Sequence, residues 1–235
     1  MMCFSPPVML ATFLIEFGFF FYVLWRYKMT AITRLTAAML FFLGTFQLAE
    51  YMICGGLGLT HIEWARLGYI SITLLPALGI HLVMRLAGKS SKLLLTAAYG
   101  TAAMYALYFA FAASAVVGQT CAANYAVFDT QGFGSTLYAI YYYGWLLVTA
   151  GLATYYARVV PKKASALRWM VGGYAAFIVP TTFANLVDPT TIQAIPSIMC
   201  GFAVLLAFVL VGKIMPLSKT PVIRQIGASK KHRTA

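Results

Sequence analysis

Residues 93–117 read LLLTAAYGTAAMYALYFAFAASAVV, twenty-five positions without a charged side chain. At about 1.5 Å rise per residue a helix of this length covers more than the ~30 Å of a bilayer's hydrocarbon. Open strands would leave backbone groups unsatisfied in lipid. A closed barrel would show short alternating segments in place of a continuous apolar run. The stretch therefore predicts a transmembrane helix. The same reading extends along the chain to seven spans, about 6–27, 33–55, 64–87, 93–117, 135–158, 168–187 and 193–216. The expected fold class is all-α, a polytopic membrane protein with one seven-helix domain over 1–216 and a basic tail at 217–235 that is too polar to pack.

Composition agrees. Of 235 residues 62% are apolar and 9% are charged, against roughly 25% charged in a soluble domain. A soluble fold of this size has too little interior to hide so much apolar surface. Seven spans consume nearly the whole chain and leave no room for a second folded domain.

The charge is lopsided, with 17 Lys and Arg against 5 Asp and Glu for a net +12. In a soluble chain this would raise nucleic acid as a partner. Here the basic residues sit in clusters at alternate connections: Arg26, Lys28 and Arg34, then Arg85, Lys89 and Lys92, then Arg158, Lys162, Lys163 and Arg168, then Lys213 and the tail. Only Arg66 falls on the other side. The positive-inside rule then predicts an external N-terminus and a cytoplasmic C-terminus. The partner implied is the bilayer of a bacterial plasma membrane, with no nucleic acid. The first span carries Glu16 and has its positive charges after the apolar run, so it reads as a retained helix and not as a leader peptide. The connection 118–134, GQTCAANYAVFDTQGFG, is expected to fold over the outer mouth.

Ionisable groups inside a membrane are functional candidates by default. Glu16 lies mid-span in helix 1, Glu50 in the outer half of helix 2 and His81 in the inner half of helix 3. Each carboxyl reads equally as a neutral acid hydrogen-bonded to a neighbouring helix. Gln47, Glu50, Tyr51 and Cys54 recur at helical spacing and form a polar stripe. Thr181, Asn185 and Asp188 form another at the outer end of helix 6, and Tyr138, Tyr141 and Tyr142 lie at a similar depth on helix 5. The candidate ligand contacts are thus Gln47, Glu50, Tyr51, Asn185, Asp188 and Tyr138, although tyrosines favour membrane interfaces in any case. His81, near Ser71, Thr73 and Pro76, reads better as a hydrogen-bonded packing residue than as a ligand.

Cofactors are not expected. A retinal protein needs a Schiff-base lysine deep in helix 7, and Lys213 lies at its basic end. His61 and His81 are separated by roughly 30 Å of helix, too far to share a haem or a metal. Cys3, Cys54 and Cys121 fall at or near the outer face, where a disulfide can form. A metal site of Cys54, Cys121, His61 and Glu63 is the weaker alternative, since no tight ligand spacing supports it. No phosphate loop or nucleophile elbow occurs.

The segments AEYMICGG (49–56) and RLGYISITLLPALGIHLVMRL (66–86) resemble helices 2 and 3 of the seven-helix N-terminal sensor region found on some bacterial histidine kinases. RWMVGGYAAFIVPTTFANLV (168–187) and IPSIMCGFAVLLAFVL (195–210) are similar to that region's last two helices. This resemblance covers about half the chain and implies an outer or intramembrane stimulus read by a helical bundle. The chain departs from the pattern after helix 7, where no dimerising helix or kinase follows, so a signal would leave through a partner protein or through the bundle itself. MCFSP (2–6) also resembles the start of small bacterial membrane proteins that begin Met-Cys-Phe/Trp-Ser and implies no chemistry. The leading expectation is a stand-alone receptor or sensor that binds a small ligand from outside. A proton-coupled transporter using Glu16 and Glu50 is the alternative, and an intramembrane enzyme stands third.

Overall fold

A computed structural model describes residues 6–55, 58–112, 115, 118–121, 126–129, 133–187 and 195–218. Among them run α1 (Pro6–Arg26), α2 (Ala31–Gly55), α3 (His61–Ala87), α4 (Lys92–Phe111), α5 (Phe133–Val159), α6 (Ala164–Val187) and α7 (Ile195–Val209). The last continues through a π-helical turn, Leu210–Ile214, into Met215–Leu217. Between α4 and α5 an antiparallel pair, β1 (Gly118–Cys121) and β2 (Ala126–Asp129), sets Gly118 opposite Asp129. The 118–134 connection thus holds a short strand pair within an otherwise all-helical fold.

Among the described residues six segments are long and apolar enough to cross a membrane: Pro7–Arg26, Ala31–Ile53, His61–Ala87, Lys92–Phe111, Pro161–Val187 and Ile195–Leu217. α5 is as long as α3, at 27 residues each, but its tyrosines and glycines lower its hydropathy. Large apolar side chains point outward around the bundle, among them Leu14, Leu93, Leu107, Phe111, Val179, Phe183 and Phe208. Such an apolar girdle suits lipid as solvent.

α3 is the central post and packs against α2, α4, α5 and α6, while α7 closes the ring against α6, α1 and α2. Small residues allow the close approach. A side chain at Gly79 would run into the Tyr174 hydroxyl, and one at Gly68 would press on Phe46 and Ala49 at 3.4 Å. Pro76 sits inside α3 and lacks an N–H, which opens the helix there.

The ends of α3 are fixed by its own sequence. Thr60 and Glu63 make a capping box: the Thr60 N–H donates to Glu63 Oε2 at 2.7 Å and the Glu63 N–H donates to Thr60 Oγ1 at 3.3 Å. Gly88 ends the helix in the left-handed region (φ 68°), where a side chain would be strained. Ser91 then caps α4 through the Leu94 N–H.

The far end of α4 differs from the expected 93–117. The helix stops at Phe111 and Ala112 is extended (φ −76°, ψ 122°). The cause is Arg66 of α3, whose guanidinium donates to the carbonyls of Ala110 and Ala112 at 3.2 and 3.3 Å. It thereby satisfies acceptors that the last helical turn leaves open. The basic residue that breaks the charge asymmetry is a helix cap contributed from another helix.

Candidate functional site

α1 and α2 lie antiparallel, with Thr12 level with Gln47 (Thr12 Oγ1 to Gln47 Oε1, 3.0 Å) and Glu16 level with Gly44. Glu50 stands about 9 Å further along α2. α7 completes the wall. Met9 and Ile198 pack together with Tyr51 and Phe202, which brings Ser197 and Cys200 to the depth of Glu50. The two carboxyls are within electrostatic reach of each other and of the Cys200 thiol, and Ser197 acts on Glu50. Glu16 is 0% exposed, Glu50 1%, Gln47 2% and Ser197 1%.

Among the described residues, this cluster leaves much of its hydrogen-bonding capacity unused. Both Glu16 oxygens, Glu50 Oε1 and Gln47 Nε2 have no protein partner at hydrogen-bonding geometry, and Ser197 Oγ, near enough to act on Glu50, falls short of that geometry. An unsatisfied buried polar group costs about 1–3 kcal/mol. Several in one cluster therefore form an expensive arrangement that a proton-bearing or hydrogen-bonding guest would relieve.

Beyond Cys200 a small apolar gap of about 20 Å³ lies between α2, α3, α5, α6 and α7, lined by Leu43, Leu75, Tyr142, Tyr174, Met199 and Cys200. It separates the carboxyls from a second polar group. There Tyr138 Oη meets Thr73 Oγ1 at 3.0 Å and the Tyr141 hydroxyl donates to the Thr73 carbonyl at 2.7 Å. Thr73 lies in the turn ahead of Pro76, whose missing N–H leaves the Ile72 carbonyl without its helical donor. Tyr69, Tyr105, Phe109 and Tyr138 pack ring to ring around it, with Tyr69 stacked on Phe109 at 4.5 Å.

The structure thus brings Gln47 and Glu50 together with Glu16, and sets Tyr51, half-buried, at their rim. Tyr138 belongs to the other cluster. Asn185 is half-buried near the end of α6, and Asp188 lies outside the described residues. Cys3 and the side chains of Cys54 and Cys121 lie outside them too, so the disulfide expectation concerns groups the structure does not describe. His61 Nδ1 bonds the Ile53 carbonyl at 2.6 Å and Glu63 is engaged in its capping box, so both suggested metal ligands serve helix ends. His81 is held between the Tyr99 hydroxyl (3.0 Å) and Arg85 Nε (3.2 Å), as a packing residue would be.

Thr12, Ser197 and Cys200 escaped the sequence reading. Each is a small side chain on an otherwise apolar helix, indistinguishable by spacing from the many Thr and Ser that bond their own backbone, as Thr45, Thr101 and Thr154 do. No protein-family model, curated protein or solved structure matches this chain.

Proposed function

We propose that the chain is a seven-helix receptor of a bacterial plasma membrane, N-terminus outside and C-terminus cytoplasmic. In this reading it binds a small ligand in the α1–α2–α7 pocket and signals through a partner protein. Gln47 and Glu50 are its contacts, joined by Glu16 and Ser197. The observation that carries the reading is the pair of buried carboxyls within electrostatic reach of each other, with both Glu16 oxygens, Glu50 Oε1 and Gln47 Nε2 lacking a protein partner. A seventh crossing by α5 is supported by its outward Leu137, Ile140, Leu147 and Val148, since Tyr138, Tyr141 and Tyr142 are turned into the bundle. The orientation rests on the basic residues gathered at one end.

The test is thermal denaturation of the detergent-purified protein against a panel of small amines, amides and polyols, with Glu50→Gln in parallel. A ligand at 100-fold excess over Kd adds about 2.7 kcal/mol to stability. A shift seen in the wild type and absent in Glu50→Gln supports the pocket. A shift equal in both proteins sinks this assignment.

The proximity of Glu16 to Glu50 favours a second reading, a carrier in which the two carboxyls hold a proton in turn. Proton-driven flux in proteoliposomes that is lost in Glu16→Gln would select it over a receptor. Flux that survives Glu16→Gln would reject it.

A further inference from the structure

At the end of the bundle remote from Glu50, α5 gives way to α6 through a short 3-10 turn, Pro161–Lys163. A groove opens on the surface there, walled by Arg158 and Ala157 of α5 and by Ser165, Arg168, Trp169 and Gly172 of α6. Both arginines are exposed. They come from opposite sides of the turn, so one concavity receives two guanidiniums. Lys213 of the α7 extension lies outside the groove's lining, with Nζ 5.0 Å from the Trp169 ring centroid, and adds a third cation near by.

The charge has no acidic counterpart. The chain's five acids are Glu16, Glu50, Glu63, Asp129 and Asp188, and none lines the groove. Glu16 and Glu50 are buried among α1, α2 and α7, Glu63 caps α3, Asp129 ends β2, and Asp188 lies outside the described residues. The inner part of the groove is apolar and unobstructed. Ala157 forms its wall, and a Cβ placed on Gly172 would meet nothing within 4 Å.

We propose that this groove is a phosphate-binding site, distinct from the carboxyl pocket, and that its occupant carries the phosphate of an anionic phospholipid headgroup or a free phosphate. Planar guanidiniums match phosphate oxygens in bidentate fashion, and basic pockets between helices at a membrane's edge take anionic headgroups. Arg158 and Arg168 hold the phosphate, Ser165 donates to it, and Trp169 sits at the interfacial depth that indoles prefer. The open surface over Ala157 and Gly172 gives the first part of an acyl chain a place to lie. A free phosphate would use the rim alone.

The test is native mass spectrometry of the full chain in mild detergent, titrated separately with phosphatidylglycerol, phosphatidylcholine and inorganic phosphate. Phosphatidylglycerol is expected to bind in preference to phosphatidylcholine. Arg158→Gln/Arg168→Gln should weaken it by at least about tenfold. Lys89→Gln/Lys92→Gln, which removes equal charge at the same end outside the groove, should leave it unchanged. Gly172→Leu should weaken lipid binding without altering charge, and unchanged circular dichroism would show that each variant is folded. Inorganic phosphate that binds to the same arginines and displaces the lipid would name the free anion as occupant. The site is overturned if the folded arginine double variant binds as the wild type does, if the lysine control loses as much, or if the wild type retains neither ligand.

Discussion

Two buried polar regions of the bundle are built from similar materials and end in opposite conditions. Around Thr73, the hydroxyls of Tyr138 and Tyr141 find partners at 3.0 and 2.7 Å, and the aromatic rings of α3, α4 and α5 close over them. Around Glu50, both Glu16 oxygens, Glu50 Oε1 and the Gln47 amide nitrogen are buried without a protein partner. In a low-dielectric interior a satisfied network rigidifies the fold, and an incomplete one is a cost that some other role must offset. The first region holds α3 at its proline turn, and the second is where a guest belongs.

Substitutions can break this contrast. The largest effect is expected from Tyr138→Ala, which removes a buried ring from the aromatic cluster and should cost about 3–5 kcal/mol in a detergent unfolding titration. A loss below about 1 kcal/mol would show the cluster to be loosely packed. Next comes Gly79→Ala, whose methyl group runs into the Tyr174 hydroxyl at the α3–α6 crossing. A loss of about 1–3 kcal/mol is expected by the same titration, and an unchanged midpoint would mean that the two helices separate freely. Tyr141→Phe deletes one hydrogen bond, keeps the ring, and should cost about 1 kcal/mol. Smallest is Glu16→Leu, which replaces an unpartnered acid by an apolar group of similar size and should be neutral or slightly stabilising. A marked loss there would mean that Glu16 belongs with the satisfied region.

How much of this could be read in advance varies with the range of the interactions. Helix positions follow from apolar runs and local punctuation, so α3 with Thr60, Glu63 and Gly88 lies close to its expected span. The end of α4 does not, because its cap, Arg66, is 44 residues from Ala110 along the chain. The strand pair has no apolar run to announce it. Glu16, Gln47 and Glu50 were legible as polar residues in apolar helices, but their company on α7 was not. Only the antiparallel register of α1 on α2 and the return of α7 bring Thr12, Ser197 and Cys200 to them. Tyr138 looked like a member of the same set because depth along a helix says nothing about which neighbour it faces.

The most direct measurement is the thermal unfolding midpoint of the ligand-free Glu16→Gln/Glu50→Gln double variant beside that of the wild type, in one detergent. If the carboxyls wait for a guest and do not hold the helices together, the two midpoints should coincide or the variant's should be higher. A midpoint lower by several degrees would show that the carboxyls stabilise the bundle themselves, and would contradict the assignment of the α1–α2–α7 pocket as a binding site.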